Sequence, residues 1–289
     1  MADSVKQTVQ WFPGHMAKTR RLLRECLPQV DAVVEVLDAR VPESSRNPEL
    51  SELTAGKPRI VLLNKCDLAD EAATKAWLAV FRSRGFSALA VDCRSGKGLK
   101  QFVPLLKEVL SDRIAKNTQR GMAGKPLRCM VVGIPNTGKS SFINKMAGRA
   151  RAEVADRAGV TRQNRWFAVG GGVELLDTPG VLWPKFDDPR VGDKLAFIGS
   201  VKDTVVDTQT LAVRLLEVLQ ASYPDRLRDR YKLEDFAEEP AYMLLERVGK
   251  KRGMLLRGGE IDCERAAAVL LDEYRAGLLG RLTLDKAGE

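Results

Sequence analysis

A glycine-rich stretch near the middle of the chain combines the residue types that bind phosphate groups. Gly133-Ile134-Pro135-Asn136-Thr137-Gly138-Lys139-Ser140 follows an apolar run, 127–132, and leads into a stretch with helical spacing, 141–146. In the pattern G-x-x-x-x-G-K-[ST], backbone N–H groups surround the phosphates, the lysine reaches the β and γ groups, and the final hydroxyl binds Mg²⁺. The spacing therefore predicts a nucleoside triphosphate site with contacts from Pro135, Asn136, Thr137, Gly138, Lys139, Ser140 and Ser141.

A second motif indicates which base the site binds. Asn64-Lys65-Cys66-Asp67 closes the apolar run 60–63. A carboxylate at the position of Asp67 can accept from both the N1–H and the N2 amino group of guanine, and adenine offers no such pair of donors. The motif predicts a guanine nucleotide, with contacts from Asn64, Lys65, Cys66 and Asp67.

A third motif and one threonine are candidates for metal binding and for sensing the γ-phosphate. Asp177-Thr178-Pro179-Gly180 ends the apolar run 173–176. This places Asp177 to hold Mg²⁺ through water and the Gly180 N–H to meet the γ-phosphate. Thr161, in a Gly-Val-Thr sequence, is a candidate second hydroxyl ligand of the metal. Each short motif alone is also typical of a turn at a strand end, but the combination favours a GTP site with Mg²⁺.

The order of these motifs differs from that of a conventional GTPase, in which N-K-x-D follows the phosphate loop. Here N-K-x-D comes first, which predicts a circularly permuted domain. The loop that closes over the base should then lie between the two motifs, and Asp92-Cys93-Arg94 occupies that place after the strand-like run 88–91. Asp92 and Cys93 are therefore candidate nucleotide contacts, with the Cys93 backbone N–H directed to guanine O6. The Cys93 side chain has a second interpretation as a half-buried apolar filler.

The elements that must position these motifs alternate between strand and helix. Apolar runs typical of strands end at the motif loops, and stretches with helical spacing, 71–84 and 98–114, lie between them. The alternation predicts an α/β fold: a mostly parallel sheet with helices on both faces and ligands at the carboxyl ends of the strands. Three further segments are assigned as a loop, an aperiodic linker and a hairpin: 38–42, 115–126 and 165–176.

The composition changes after Gly180. Helical spacing recurs in four stretches: 191–198, 208–223, 241–248 and 262–279. We therefore predict a permuted P-loop GTPase domain, 1–185, with a basic N-terminal extension, followed by a small all-α C-terminal domain, 186–289. Four basic residues before the last helix are either a solvated loop or a contact for RNA phosphates: Lys250, Lys251, Arg252 and Arg257.

Composition limits the class of protein and of partner. Lys plus Arg number 47 against 38 for Asp plus Glu, and the net charge of +9 favours a polyanion such as nucleic acid, although it also serves solubility. Five scattered cysteines without a C-x-x-C pair indicate reduced thiols, and they argue against a disulfide framework or a zinc site. No apolar run approaches the roughly twenty residues of a membrane span. We expect a cytoplasmic protein without membrane contact.

The N-terminal residues contain the only histidine of the chain, His15. It follows Trp11-Phe12-Pro13-Gly14, in which Pro-Gly predicts a turn and the aromatic pair would pack that turn on the body. A lone histidine is more often structural than catalytic. From the residues alone, both roles stay open.

Five stretches together resemble one family: Phe12-Pro13-Gly14-His15-Met16-Ala17-Lys18, Asp38-Ala39-Arg40-Val41-Pro42, Asn64-Lys65-Cys66-Asp67, the phosphate loop 133–141, and Asp177-Thr178-Pro179-Gly180-Val181-Leu182-Trp183-Pro184-Lys185. The combination is similar to the circularly permuted GTPases of the RbgA/YlqF family, ribosome biogenesis GTPase A. The resemblance implies a GTPase, monomeric off the ribosome, that binds the immature large ribosomal subunit and promotes its late assembly. It also implies ribosome-stimulated hydrolysis and C-terminal helices that contact ribosomal RNA. Two departures, Ala158 where proline is common and Arg162 after the switch threonine, touch none of the predicted contacts.

The resemblance also bears on catalysis. Many GTPases place a glutamine after D-x-x-G to orient the attacking water, whereas this chain has Val181-Leu182-Trp183. The family's candidate for that task is the histidine of Phe-Pro-Gly-His-Met, here His15. Asn136 resembles the asparagine that helps hold K⁺ in potassium-activated relatives, and a loop-stabilising side-chain bond is its other interpretation.

Functions of different classes stay open at this point. In one, an enzyme hydrolyses GTP and the nucleotide state times its release from the ribosomal partner. In another, an RNA-binding protein uses GTP as a structural or conformational ligand, and hydrolysis is incidental. Thr161 and the full Mg²⁺ set favour the enzyme, since a structural site needs no γ-phosphate sensor. A transfer-RNA-related GTPase is a weaker alternative, because no second catalytic domain is visible in the sequence.

Overall fold

The computed structural model describes residues 13–148, 165–183, 186, 188–201 and 207–288, with side chains from residue 18 onward. The described chain divides into two compact units. One contains residues 13–183 together with the C-terminal residues 285–288, and the other contains residues 186–284.

The assignment of residues 285–288 to the first unit differs from the division expected from the sequence. Asp285 explains it, because its carboxylate accepts hydrogen bonds from the Ser44 N–H at 2.8 Å and from the Ser44 hydroxyl at 2.7 Å. The indole N–H of Trp77 donates to the Asp285 carbonyl at 3.1 Å. These bonds fasten the end of the chain to the α/β unit.

The first unit is built on one sheet. Its strands are β1 (Ala32–Asp38), β2 (Arg59–Asn64), β3 (Ser87–Ala90), β4 (Leu127–Val132), β5 (Arg165–Val169) and β6 (Val173–Asp177). They lie in the order β3-β2-β1-β4-β6-β5, and every neighbouring pair is parallel except β5 and β6, which form the expected antiparallel hairpin. The order reverses between β1 and β4, and ligands of open parallel sheets bind beyond the carboxyl ends of the strands at such a point.

Helices cover both faces of this sheet, so the predicted architecture is confirmed. They are α1 (Pro13–Cys26), α2 (Pro48–Leu53), α3 (Glu71–Ser83), α4 (Phe102–Val109), α5 (Ser111–Gln119) and α6 (Lys139–Ala147). All seven residues of β1 are buried, as expected for a central parallel strand. On one face Phe102 and Phe142 meet edge to face at 5.1 Å over β1, β2 and β4. On the other, α1, α2 and α3 supply the core residues Leu22, Leu23, Leu50, Trp77 and Phe81.

Three helical segments differ from the sequence-based expectation. The predicted Pro13-Gly14 turn is wrong, since α1 begins at Pro13, where the fixed φ of proline suits a first helical turn. The predicted helix 98–114 is broken at Leu110, and α5 extends into the supposed linker. Most of α5 is exposed, so it carries no apolar stripe that a periodicity search would detect.

The second unit is helical. Its helices are α7 (Pro189–Phe197), α8 (Thr208–Ser222), α9 (Pro224–Tyr231), α10 (Ala241–Lys251) and α11 (Cys263–Ala276). Asp188, Asp207 and Asp262 cap the first turns of α7, α8 and α11, which explains where these helices begin. A Cβ on Gly249 would lie 2.6 Å from Ile261 Cγ2, so α10 approaches the following loop closely. The small all-α C-terminal unit is confirmed, with α9 as an addition.

In the part of the chain that the structure describes, every helix is too short or too polar to cross a membrane.

Candidate nucleotide-binding site

The phosphate loop connects β4 to α6 at the point where the strand order reverses. Its backbone has left-handed φ at Asn136 (62°) and at Gly138 (95°), and Gly138 is the N-cap of α6, which begins at Lys139. A Cβ on Gly138 would overlap Asn64 Nδ2. Glycine is therefore required there for both backbone angle and space, and the helix N-terminus with its unsatisfied N–H groups is placed for an anion.

Two side chains from the end of β2 hold the phosphate loop. Asn64 Nδ2 donates to the Thr137 carbonyl at 2.7 Å, and Lys65 Nζ donates to the Asn136 carbonyl at 2.7 Å. A trans peptide points its C=O and the following N–H in opposite directions. These bonds therefore turn the N–H groups of Thr137 and Gly138 away from the N-K-x-D motif, as an anion-binding concavity requires.

Asn64 also reaches the loop predicted to close over the base. Its Oδ1 accepts from the Cys93 N–H at 3.0 Å, so that N–H is engaged within the protein rather than directed to a ligand. The Cys93 side chain is buried in the core below the loop, which fits its interpretation as an apolar filler. Burial raises the pKa of the Cys93 thiol to about 12.

Asp92 shapes this loop. Its carboxylate accepts from the N–H groups of Arg94 at 2.8 Å and Ser95 at 3.2 Å, and its carbonyl accepts from the Gly96 N–H at 2.8 Å. A short acidic side chain folded onto the next N–H groups is an Asx turn. The Asp92 carboxylate is thus engaged in the loop itself.

The guanine-recognition candidate, Asp67, is exposed in a turn beyond β2. The turn is fixed by two backbone bonds, from the Cys66 N–H to the Val91 carbonyl at 3.2 Å and from the Leu68 N–H to the Lys65 carbonyl at 2.9 Å. Lys65 takes a left-handed φ of 60° at the start of the turn. The carboxylate of Asp67 therefore lies at the same sheet edge as the phosphate loop.

Two of the metal-ligand candidates lie in α6 and at the end of β6. Ser140 is exposed in the first turn of α6, and Asp177 is half-buried at the end of β6. Burial raises the pKa of Asp177, and the nearby Lys139 opposes this shift. Burial lowers the pKa of Lys139 to about 8, although the negative charge of Asp177 acts to raise it. The Lys139 Nζ donates to the Ile134 carbonyl at 2.8 Å. Mg²⁺ prefers oxygen ligands, and Ser140 and Asp177 offer a hydroxyl and a carboxylate. These residues therefore fit the ion.

The backbone after D-x-x-G approaches the phosphate loop. A Cβ on Gly180 would lie 2.9 Å from Pro135 N and 3.0 Å from Lys139 Nζ, and the Val181 N–H donates to the Gly133 carbonyl at 3.2 Å. The next three side chains, Val181, Leu182 and Trp183, are all buried. Gly180 therefore stands beside the phosphate loop, followed by an apolar segment.

Of four further predicted residues, two are described in full and two are not. Thr161 lies outside the described residues. The backbone of His15 is in α1, and its side chain is not among the atoms described. Asn136 and Ser141 are exposed at the phosphate loop and in the first turn of α6.

Sequence reasoning missed the polar residues that support the site from the loop after β1. Asp38 Oδ2 lies 2.9 Å from Lys65 Nζ, and Asn47 Nδ2 donates to the Val181 carbonyl at 3.0 Å. Two signals were available. Asp38 closes an apolar run, as the motif residues do, and Asn47-Pro48 is a helix start signal.

Known proteins resemble the chain over nearly its whole length. A family model described as 50S ribosome-binding GTPase matches residues 128–246, and the match begins at β4, after the N-K-x-D motif. Ribosome biogenesis GTPase A of Priestia megaterium is 46% identical, and the alignment covers 98% of each chain. The Thermotoga maritima protein of the same name is 34% identical over 96% of this chain and 94% of its own. Mitochondrial ribosome-associated GTPase 1 of Mus musculus is 36% identical over 96% of this chain and 90% of its own.

Solved structures agree with these relatives. The GDP-bound structure of TM YlqF superimposes with a TM-score of 0.69 at 30% identity, covering 93% of this chain and 100% of that one. GNP-bound YlqF from T. maritima gives 0.66 at 30% identity, with 94% and 99% covered. Motif order, sheet topology and sequence identity agree, and the chain therefore belongs to the RbgA/YlqF family of circularly permuted GTPases, ribosome biogenesis GTPase A.

Proposed function

We propose that this GTPase is an assembly factor that binds the immature large ribosomal subunit, acts late in its maturation, and hydrolyses GTP faster on that partner. Support comes from relatives whose names place those proteins in ribosome biogenesis or on the mitochondrial ribosome. The observation that carries the nucleotide part is the pair of bonds from Asn64 and Lys65 to consecutive carbonyls of the phosphate loop. These bonds support a single site for the N-K-x-D and phosphate motifs in spite of the permuted order.

In the proposed complex the base is read by Asp67, whose exposed carboxylate accepts from the guanine N1–H and N2 amino groups. The N–H groups of Thr137 and Gly138 and the ammonium of Lys139 bind the phosphates. Nucleotide binding would draw Lys139 from the Ile134 carbonyl and keep it protonated, since the phosphates supply the negative charge that its buried site lacks. The Gly180 N–H contacts the γ-phosphate.

Ser140 and Thr161 are the proposed hydroxyl ligands of Mg²⁺, and Asp177 the ligand through water. When bound there, Mg²⁺ would supply positive charge against the negative charge that develops on the phosphates during transfer. This set is supported by Ser140 following Lys139 in the first turn of α6 and by Asp177 lying close enough to Lys139 for their charges to interact. We assign a K⁺ contact to the exposed Asn136 as a finer part of the proposal.

Hydrolysis requires a polar group near the attacking water. The buried Val181, Leu182 and Trp183 offer no polar side chain that could accept a proton after D-x-x-G. We propose that His15 orients the water, because a neutral imidazole can accept a proton at neutral pH. The ribosomal partner would position His15 beside the water. The partner would then stimulate hydrolysis by ordering a residue of this chain and would not supply a catalytic group of its own.

The RNA contact is proposed for the basic loop, which we define as residues 250–257. Lys250, Lys251 and Arg257 are exposed, which suits contact with phosphates. Arg252 differs from them, since its guanidinium donates to Glu273 and stacks 5.5 Å from the Tyr231 ring centroid. Arg252 would therefore fix the end of α10 while the other three meet RNA. With this partner, we propose that the protein is cytoplasmic and is a monomer when it is off the ribosome.

Co-sedimentation with purified immature large subunits tests the proposal. We expect association with a GTP analogue, weaker association with GDP, and loss of association in a Lys250→Glu/Lys251→Glu/Arg257→Glu variant. Lys75→Glu/Lys100→Glu/Lys107→Glu, at three exposed lysines of the first unit, is the control for the same added negative charge. Equal association in all nucleotide states would favour an RNA-binding protein that uses GTP only as a structural ligand.

A further inference from the structure

A buried ion pair joins the last residue of β1, Asp38, to Arg40 in the loop that follows, and the nucleotide motifs give no reason for it. Asp38 is 0% exposed and Arg40 only 2%. Arg40 Nε donates to Asp38 Oδ1 at 2.9 Å, its second guanidinium nitrogen donates to Oδ2 at 2.8 Å, and the Arg40 backbone N–H donates to Oδ1 at 3.0 Å. Burying such a pair is costly and adds little net stability compared with apolar residues. Its presence calls for a role other than stability.

The carboxylate of Asp38 also meets the lysine of the N-K-x-D motif. Lys65 Nζ lies 2.9 Å from Asp38 Oδ2 and 2.7 Å from the Asn136 carbonyl. Asp38 and Asn64 are register partners at the ends of β1 and β2, so the contact is set by the sheet itself. The Lys65 ammonium therefore bridges a fixed carboxylate and the phosphate loop.

We propose that Asp38 is a positioning residue for nucleotide binding, which holds the Lys65 ammonium against the phosphate loop while Arg40 holds Asp38. Lysine has a flexible four-carbon stem, and fixing its end before the ligand arrives lowers the entropy lost on binding. With Lys65 on the Asn136 carbonyl, the peptide between Asn136 and Thr137 keeps its N–H turned to the anion side. This inference rests on the proposed nucleotide site.

The charges agree with this role. Burial by itself raises the pKa of Asp38, but the Arg40 and Lys65 cations outweigh it and hold the pKa well below its usual range. Asp38 is therefore ionised at neutral pH and can hold two cations at once. An asparagine at position 38 would have the same shape. Its NH₂ group, however, would face N–H donors of Lys65 or Arg40 and could not accept from them.

The first experiment measures the affinity of Asp38→Asn for GDP and for a non-hydrolysable GTP analogue. We expect both affinities to fall on the order of ten- to a hundredfold, as for loss of a charged hydrogen bond. KM for GTP should rise by a similar factor, and kcat should stay within about twofold of the original value. The lost contact serves the ground state and the transition state equally, so only binding is weakened. Unchanged affinities would overturn the inference.

Glu35→Gln is the matched control. Glu35 lies on the same strand, is 1% exposed, and accepts from Arg59 at 3.3 Å. Its substitution also removes a buried carboxylate from β1, and we expect nucleotide affinity within about twofold of the original even if stability falls. A loss equal to that of Asp38→Asn would show a general effect of weakening β1 and would contradict the positioning role.

Lys65→Met separates the inference from the proposed function. If Lys65→Met binds nucleotide normally, the proposed site is wrong. If it binds weakly while Asp38→Asn binds normally, the site stands and the role of Asp38 is wrong. If both are weak, Asp38→Asn added to Lys65→Met should cause no further loss, and a full second loss would show that Asp38 does not act through Lys65.

Asp38→Asn removes the charge that Asp38 gives the buried Arg40, so its folding is checked with a second variant. Asp38→Asn/Arg40→Met removes both members of the buried ion pair. It should fold and show the same ten- to hundredfold loss of GDP affinity, on the order set by one charged hydrogen bond. Normal GDP binding by this folded double variant would overturn the inference.

Discussion

At the residue scale, we expect the carboxylate of Asp67 to decide which base is bound. Asp67→Asn replaces an acceptor by a group that also donates, which suits the carbonyl of xanthine in place of the guanine amino group. We expect GDP affinity to fall by about tenfold or more and xanthosine diphosphate affinity to rise, as for one charged hydrogen bond. Fluorescence titration with both nucleotides measures this.

Asp70→Asn is the control for the base-specificity test. Asp70 accepts from the Ala73 N–H at 2.8 Å as the N-cap of α3, and asparagine caps a helix equally well. Its base preference should stay with guanine. GDP affinity that is equal in Asp67→Asn and the unsubstituted chain would refute the assignment of Asp67.

His15 is the residue on which the proposed hydrolysis depends. His15→Ala should leave GTP-analogue affinity nearly unchanged and lower the ribosome-stimulated rate on the order of ten- to a hundredfold or more, as loss of an acid–base group does. Single-turnover hydrolysis at saturating large subunit measures the rate. A near-normal rate would make His15 structural, and a parallel loss of nucleotide affinity would show that it holds the loop rather than the water.

At the scale of elements, the meeting of the phosphate loop and the D-x-x-G segment leaves no room for a side chain. Gly180→Ala would place a Cβ 2.9 Å from Pro135 N, and displacing backbone of this kind costs about 1–3 kcal/mol. We expect GTP-analogue affinity to fall by roughly tenfold, measured by calorimetry.

Gly170→Ala is its control in the β5–β6 hairpin. A Cβ on Gly170 meets nothing within 4 Å, so nucleotide affinity should not change. If Gly180→Ala bound the GTP analogue as tightly as Gly170→Ala does, the γ-phosphate contact would have to lie elsewhere.

The strands and their motif loops were readable from the sequence because apolar runs end at chemistry-bearing residues. Three of these runs end at Asn64, Asp92 and Asp177, and the structure brings their loops to one edge of the sheet. Short elements were not readable. Helix α2 has six residues, too few to show a helical period, and α5 is mostly exposed.

The side-chain contacts within the site could not be predicted from the sequence either. A backbone N–H at Cys93 can serve a ligand or a neighbour equally well, and the choice depends on where Asn64 Oδ1 lies. Similarly, Asp38 gave no sign that it bonds Lys65, because that contact arises from the β1–β2 register. Polar contacts of this kind follow from tertiary placement rather than from residue type.

At the scale of the whole molecule, the permutation makes the D-x-x-G segment, the proposed γ-phosphate sensor, continuous in sequence with the helical unit. The chain runs from Gly180 into residues 186–284 and returns to the α/β unit at Asp285, which bonds Ser44 241 positions away in the sequence. A separation of that length explains why sequence patterns assigned the tail to the helical domain.

This connectivity leads to a prediction about coupling. Exchange of GDP for a GTP analogue should change amide hydrogen exchange in residues 186–284, with a bias of a few kcal/mol at most. Mass spectrometry of the full chain, on and off the ribosome, measures it. Identical exchange in both nucleotide states under both conditions would show that the switch does not act on the helical unit.

The most direct test of the proposed function is phosphate release from GTP by the full chain alone, with immature large ribosomal subunits, and with small subunits. Lys139→Ala is the negative control for phosphate release. It lacks the charged group proposed to contact the β and γ phosphates, so its rate should be low under every condition. We predict stimulation of about tenfold or more by large subunits, as positioning of a catalytic group can provide, and none by small subunits. A rate that large subunits leave unchanged, or that both subunits raise equally, would contradict a large-subunit assembly GTPase.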